Sequence, residues 1–253
     1  MDRTALQWPT RLPGSGAQLS WVQWPADQII GALAQDVAER LRQAIAQRGQ
    51  AHLCVSGGKS PVALMAALSR QPLDWPRVQI SLADERCVPT AHPDSNAALV
   101  RRHLLHNSAA QARFVPMVTQ AAEPLPPVQV LADQADEAMR ALGPADVLIL
   151  GMGTDGHTAS IFPGMAQWAQ ALDPNFSRAC LPVQADCVPA QVPYARITQT
   201  LAQLLKARHI VLPISGADKI DVLKRACGTA ELIHPVSHVL HQTQAPVAVW
   251  ISP

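Results

Sequence analysis

Asp155 and His157 stand two residues apart in the loop Gly151-Met-Gly-Thr-Asp-Gly-His157, directly after the apolar run Val147–Leu150. An imidazole gives up and takes back a proton near neutral pH, which suits it to general acid–base work. A buried strand that opens into glycines and then presents an acid and an imidazole is read either as a nucleotide loop or as a hydrolytic site. A second glycine loop, Ser56-Gly57-Gly58-Lys59-Ser60-Pro61, follows the apolar residues His52–Val55. Strand, paired glycines and helix start make a cradle of backbone N–H groups that favours an anion. A third cluster, Asp84-Glu85-Arg86, ends the run Val78–Leu82. Its guanidinium is suited to steadying developing negative charge. Its structural alternative is an ion pair at a strand end. Asn96 either caps its helix or touches a ligand.

Neither glycine loop fits a nucleotide fingerprint. Gly151, Gly153 and Gly156 match G-x-G-x-x-G, but that fingerprint needs a following helix and an acid about 20 residues on. Pro163 interrupts any such helix, and the next convincing strand ends only near Asp186. The remaining readings are a tight turn or a catalytic loop holding His157, with glycines that let a ligand and the backbone come close. The Walker pattern needs a glycine where Leu53 stands.

The elements that must position these loops alternate. Strands are expected at 18–24, 52–55, 78–82, 114–118, 145–150, 178–183, 209–214 and 247–251. Helices are expected at 27–48, 61–68, 95–105, 128–142, 200–207, 217–226 and 235–241. On the first helix Ile30, Leu33, Val37, Leu41 and Ile45 share a face, and Gly49 stops it. The pattern predicts an α/β fold: three layers, a mostly parallel sheet with helices on both faces, a modified Rossmann-like arrangement. One domain over 1–253 is expected, with residues 1–17 a loosely packed extension. Ligands in such sheets bind beyond the carboxyl ends of the strands, where 56–60, 84–86, 151–157 and 215–219 all fall. Residues 165–176 and 186–195 are weakly patterned and suit the rims of a site.

Bulk composition excludes several classes. The chain has 253 residues, 48% hydrophobic and 15% charged, with net charge +1. That gives no basic footprint for nucleic acid. No apolar run is long enough to span a membrane. The first residues lack the apolar core of a secretory leader, so a cytoplasmic protein is expected. Five scattered cysteines, with no C-x-x-C, read as reduced thiols. His234, His238 and His241 fall on one helical face and His103 and His106 form a similar pair. No carboxylate or cysteine accompanies them, so no metal is expected.

Five segments occur in a telling order: Ser56–Pro61, Asp84-Glu-Arg-Cys-Val-Pro89, Asp94-Ser-Asn96, Leu150–Gly164, and Arg196-Ile-Thr198 with Gly216-Ala-Asp-Lys219. The chain resembles the 6-phosphogluconolactonase family, within the superfamily that also holds glucosamine-6-phosphate deaminase. After His157 it reads Thr-Ala-Ser-Ile-Phe-Pro-Gly, similar to the lactonase form; the deaminase form looks like GxDGHIAFNEPG. It departs from the family's first loop by Lys59-Ser60 in place of two hydroxyl residues. The resemblance implies hydrolysis of 6-phosphoglucono-1,5-lactone without a cofactor. It implies His157 as proton carrier, with Asp155 orienting it or holding a sugar hydroxyl. Arg86 would steady charge, and Asp84 would bind hydroxyls or position Arg86. Phosphate would lie over Gly57, Gly58 and Ser60, with Arg196 and Lys219 closing on it and Lys59 either beside it or in solvent. A phosphosugar lactone is the implied partner, and the chain is expected as a monomer or small homo-oligomer. The alternatives are the deaminase reaction and a non-catalytic sugar-phosphate sensor.

Overall fold

A computed structural model describes residues 8, 9, 12, 18–188, 193–231 and 233–252. Its centre is a seven-stranded, all-parallel sheet. In chain order its strands are β1 (Leu19–Gln23), β2 (Ala51–Val55), β3 (Val78–Leu82), β5 (Arg113–Phe114), β6 (Val147–Ile149), β9 (Ile210–Ser215) and β10 (Val247–Ser252). Across the sheet the order is β1-β10-β9-β6-β2-β3-β5.

The inner strands are apolar because both faces are covered. Alternate residues serve opposite cores. Val147 and Ile149 of β6, with Val211 of β9 and Ala248 of β10, face a core shared with α1 (Ile29–Arg48), α2 (Val62–Leu68) and α3 (Asn96–His103). Leu148, Ile210, Leu212, Val247 and Val249 face the other core, shared with α6 (Leu201–Leu204), α7 (Ala217–Ala226) and α8 (Val236–Leu240).

Helix α1 buries Leu33, Ala34, Val37, Ala38 and Leu41. Each large apolar side chain so buried contributes roughly 1.5–3 kcal/mol. The stripe is rotated from the expected one: Ala34 and Ala38 are buried, while Ile30, which lines a cavity at the carboxyl end of the sheet, and Ile45 are only partly buried. Gly49 ends the helix with φ +77°, its N–H donating to the Ile45 carbonyl at 2.8 Å, a conformation glycine adopts without a Cβ penalty.

One feature departs from the expected single sheet. β4 (Asp84–Arg86), β7 (Cys180–Val183) and β8 (Arg196–Gln199) form a separate antiparallel sheet in the order β4-β8-β7. The cluster at 84–86 is thus a strand in its own right, and 196–199, given no element from the sequence, is another. Helix α4 (Val128–Leu142) is tied to this sheet where the Asp136 carboxylate accepts the N–H groups of Ala179 at 2.5 Å and Cys180 at 3.0 Å. The expected strand at 114–118 shrinks to Arg113–Phe114. The weakly patterned 165–176 contains one short helix, α5 (Trp168–Ala171). Of the expected loose extension 1–17, Trp8 stacks on Trp21 at 4.7 Å and Leu12 is buried; the rest of it, and 189–192 of the second expected rim, lie outside the described residues.

Candidate active site

A cavity of about 240 Å³ opens at the carboxyl ends of β2, β6 and β9. Gly57, Gly58, Lys59, Ser60, Asp84, Arg86, Asn96, His157, Arg196 and Lys219 all line it. Asp155 is the one expected site residue that is not on its wall; it stands behind His157.

The His157 Nδ1 lies 2.6 Å from Asp155 Oδ1, and the same oxygen accepts the His157 backbone N–H at 3.1 Å. Through Oδ1, Asp155 thus orients the imidazole. Burial by itself raises the Asp155 carboxyl, but the hydrogen bonds and charge of His157 outweigh it, leaving the carboxyl below its ordinary range. Gly153 makes the pair fit. A Cβ there would lie 2.2 Å from His157 Nδ1 and 2.5 Å from Asp155 Oδ1. At Gly156, with φ +83°, a Cβ would meet the His234 backbone at 3.0 Å. These glycines make room for protein groups, and Gly153, with Gly151, also lines the cavity. His234 accordingly packs beneath the loop, and the His241 ring lies 3.1 Å from the Ala226 carbonyl. Among the described residues no cluster of three or more histidine, cysteine, aspartate or glutamate side chains is placed to hold a metal.

The antiparallel pairing of β4 with β8 sets the next wall. Its register places Asp84 opposite Thr198 and Arg86 opposite Arg196, with Glu85 opposite Ile197. Side chains alternate along a strand, so Asp84 and Arg86 face one way with Thr198 and Arg196, and Glu85 faces the other. Two guanidinium groups on directly opposed residues repel, a cost that an anion held between them would offset. Burial foremost, with Arg86 adding to it, lowers the Arg196 guanidinium from its usual value. Arg86 Nη1 donates to the Asp94 carbonyl at 2.5 Å. Buried Asp84 accepts the Ser160 hydroxyl at 2.6 Å and the Asn96 amide at 3.4 Å.

Glu85 is wholly buried, and burial pushes its carboxyl up to about 7 against the pull of three backbone hydrogen bonds. It accepts the N–H groups of Asn96 and Ala97, each at 2.7 Å. In this way β4 anchors the first turn of α3, whose orphan donors need such a partner. The cap of α3 is Ser95, whose hydroxyl accepts the Ala98 N–H at 3.2 Å. Asn96 is therefore not the cap. Its amide donates to the Asp84 carbonyl at 2.9 Å and lies where a Cβ on Gly57 would stand, 1.8 Å from Asn96 Oδ1.

On the β2 side, Ser56 Oγ accepts the Gly151 N–H at 3.1 Å, tying the two glycine loops together. Gly58 turns with φ +89°, and Lys59 is exposed at the rim. Lys219, from the first turn of α7, donates to the Ser60 hydroxyl at 3.1 Å. Burial lowers the Lys219 ammonium from its ordinary value. A cation there has lost water, and its hydrogen bond is to a neutral hydroxyl, which favours an anion as a further partner.

Several contributors were missed from the sequence: Ser160, Thr198, Glu85 and Phe162. The first two carry a chain from Thr198 Oγ1, which accepts the Ser160 N–H at 3.2 Å, through Ser160 to Asp84. Ser160 and Phe162 stood within the motif after His157, but nothing in their spacing shows that the chain reverses at Ala159, where φ is +49°.

Comparison with known proteins agrees with this geometry. Residues 25–250 match the family described as glucosamine-6-phosphate isomerases/6-phosphogluconolactonase. A 6-phosphogluconolactonase of Pseudomonas aeruginosa is 50% identical over 202 residues, 79% of this chain and 81% of that protein. One of Pseudomonas putida is 46% identical over 217 residues, covering 85% and 86%. The crystal structure of a 6-phosphogluconolactonase from Shewanella baltica superposes with a TM-score of 0.85 at 34% identity, covering 94% of this chain and all of that one. The chain belongs to the glucosamine-6-phosphate isomerase/6-phosphogluconolactonase family.

Proposed function

We propose that the chain hydrolyses 6-phospho-D-glucono-1,5-lactone to 6-phospho-D-gluconate, with His157 as the proton carrier. The observation that carries this reading is the 2.6 Å bond between His157 Nδ1 and Asp155, on the wall of a cavity that also presents Lys219, Arg86 and Arg196. With Nδ1–H donating to the carboxylate, Nε2 is the acceptor left for a water. His157 takes a proton from that water as it attacks the ester carbonyl. The Asp155 charge stabilises the imidazolium so formed. The tetrahedral oxyanion is steadied by Arg86, and the proton returns to the ring oxygen as the ester bond breaks. Asp84 and Asn96 hold sugar hydroxyls.

The phosphate lies over the N–H groups of the 57–60 loop, with Ser60, Lys219 and Arg196 around it and Lys59 at the rim. Arginine meets phosphate through two parallel donors and lysine as a point charge. The reaction requires no cofactor in this scheme. Among the described residues no helix is long and apolar enough to cross a membrane, which is consistent with a cytoplasmic enzyme. A monomer or small homo-oligomer suffices, because every proposed role falls on one chain.

The names of relatives at 50% and 46% identity favour the lactone over an amino sugar. The test is direct. Freshly prepared lactone should open faster with the protein than by its own hydrolysis, and glucosamine 6-phosphate should release no ammonia. Ammonia release without lactone opening would select the deaminase reading, and tight binding of 6-phosphogluconate without either reaction would select a sensor.

A further inference from the structure

Phe162 is buried, has no polar atom, and is not on the cavity wall. Its ring nevertheless touches two groups that are. The centroid of His157 lies 4.7 Å from its own, at an interplanar angle of 43°, and Arg196 Cζ stands 5.2 Å from it. The local fold delivers the ring to this place. The chain reverses at Ala159 with φ +49°, Thr158 and Ile161 bridge, and the Ile161 N–H donates to the Thr158 carbonyl at 2.9 Å. His157 and Phe162 therefore leave the two ends of one tight turn and meet. Thr158 Oγ1 fastens that turn to the Gly151 carbonyl at 2.9 Å.

We infer that Phe162 is the positioning residue that sets the imidazole of His157 and the guanidinium of Arg196 relative to each other. The face of an aromatic ring is electron-rich, so it attracts a guanidinium above it. Its shape limits the tilt of an imidazole packed against it. Arg196 is itself 5% exposed; a buried, planar guanidinium held over a ring face keeps its aim. One side chain thus couples the two jobs that a phosphorylated substrate imposes: holding the anion and placing the base. The half of the inference that concerns His157 rests on its proposed role as proton carrier. The half that concerns Arg196 does not.

The test is a pair of double-mutant cycles. Phe162→Leu keeps apolar bulk and removes the ring. It should lower kcat roughly tenfold through the displaced base and weaken binding of 6-phosphogluconate, measured by calorimetry, roughly fivefold through Arg196. In an Arg196→Ala background the same change should alter 6-phosphogluconate affinity by less than about twofold. In a His157→Ala background it should alter kcat by less than about twofold. Phe162→Met is the second variant should leucine fail to give a cooperative melt. Effects that multiply fully in either background overturn the inference, as does a Phe162→Leu enzyme within twofold of wild type in both readouts. Failure of the wild type to open lactone removes the proton-carrier reading, while the calorimetric cycle still decides the Arg196 half.

Discussion

The sheet carries a cavity at each end, and the contrast between them shows what marks a site. The one at the amino ends of the strands is the larger, about 490 Å³ against about 240 Å³ at the carboxyl ends. It is also rich in arginine, with Arg40, Arg48 and Arg208 on its wall. Those cations are matched by carboxylates. Arg48 and Arg208 converge on the buried Asp146 at 2.6 and 3.3 Å, and Arg40 pairs with Asp36 at 2.8 Å. At the carboxyl end Lys219 has a hydroxyl and Arg86 a backbone carbonyl, while Arg196 lies in the field of the buried Asp84. Volume and basic residues are common to both ends. Cations held by neutral acceptors beside a carboxylate-bound imidazole occur at the carboxyl end, where the loops of a parallel sheet form a crevice.

The comparison breaks if substitutions at the two ends act alike. The largest effect is expected for Gly153→Ala, whose Cβ must displace the imidazole or the carboxylate; kcat should fall roughly a hundredfold, as misplacement of a reacting group by about 1 Å does. Asp155→Asn should cost at least about tenfold in kcat, because the amide neither fixes the tautomer nor stabilises the imidazolium. It has a second signature in chemical denaturation. The folded Asp155 carboxyl lies below its unfolded value. Its contribution to stability is therefore present above the unfolded pKa of about 3.9 and lost as pH falls through the folded one. Wild type and Asp155→Asn should differ at pH 6 and converge in strong acid; a constant gap would contradict the sign.

Lys219→Ala should raise KM roughly tenfold with kcat nearly unchanged, since a phosphate contact is made equally in ground and transition states. Arg208→Ala, at the amino end, should leave both kinetic constants within about twofold while costing about 1 kcal/mol of stability through the weakened Asp146 pairing. A tenfold loss of kcat from Arg208→Ala would erase the distinction between the ends.

Much of this was legible in the residues, for physical reasons that also explain what was not. Helix α4 over Val128–Leu142 and helix α7 over Ala217–Ala226 follow the expected ranges because their apolar periodicity is strong. The site loops were legible because apolar strands point their carboxyl ends at them. The small sheet was not. Asp84-Glu-Arg and Arg-Ile-Thr-Gln199 have no apolar alternation; they are extended because they pair with each other and are enclosed by α3 and α4, a tertiary effect on a weak local preference. The Asp155–His157 bond was open at a spacing of two, and the structure closes it only because Gly153 leaves the room. Phe162 was invisible for a similar reason: its contacts depend on one left-handed residue, Ala159, which no periodicity announces.

The central claim is that the imidazole at the carboxyl end moves the proton. Lactone opening by wild type and by His157→Ala, measured side by side on fresh substrate with spontaneous hydrolysis subtracted, tests it most directly. The expected result is a loss of roughly 10²-fold or more in kcat, with 6-phosphogluconate binding and the melting transition retained. A His157→Ala protein that opens the lactone at the wild-type rate would contradict the account.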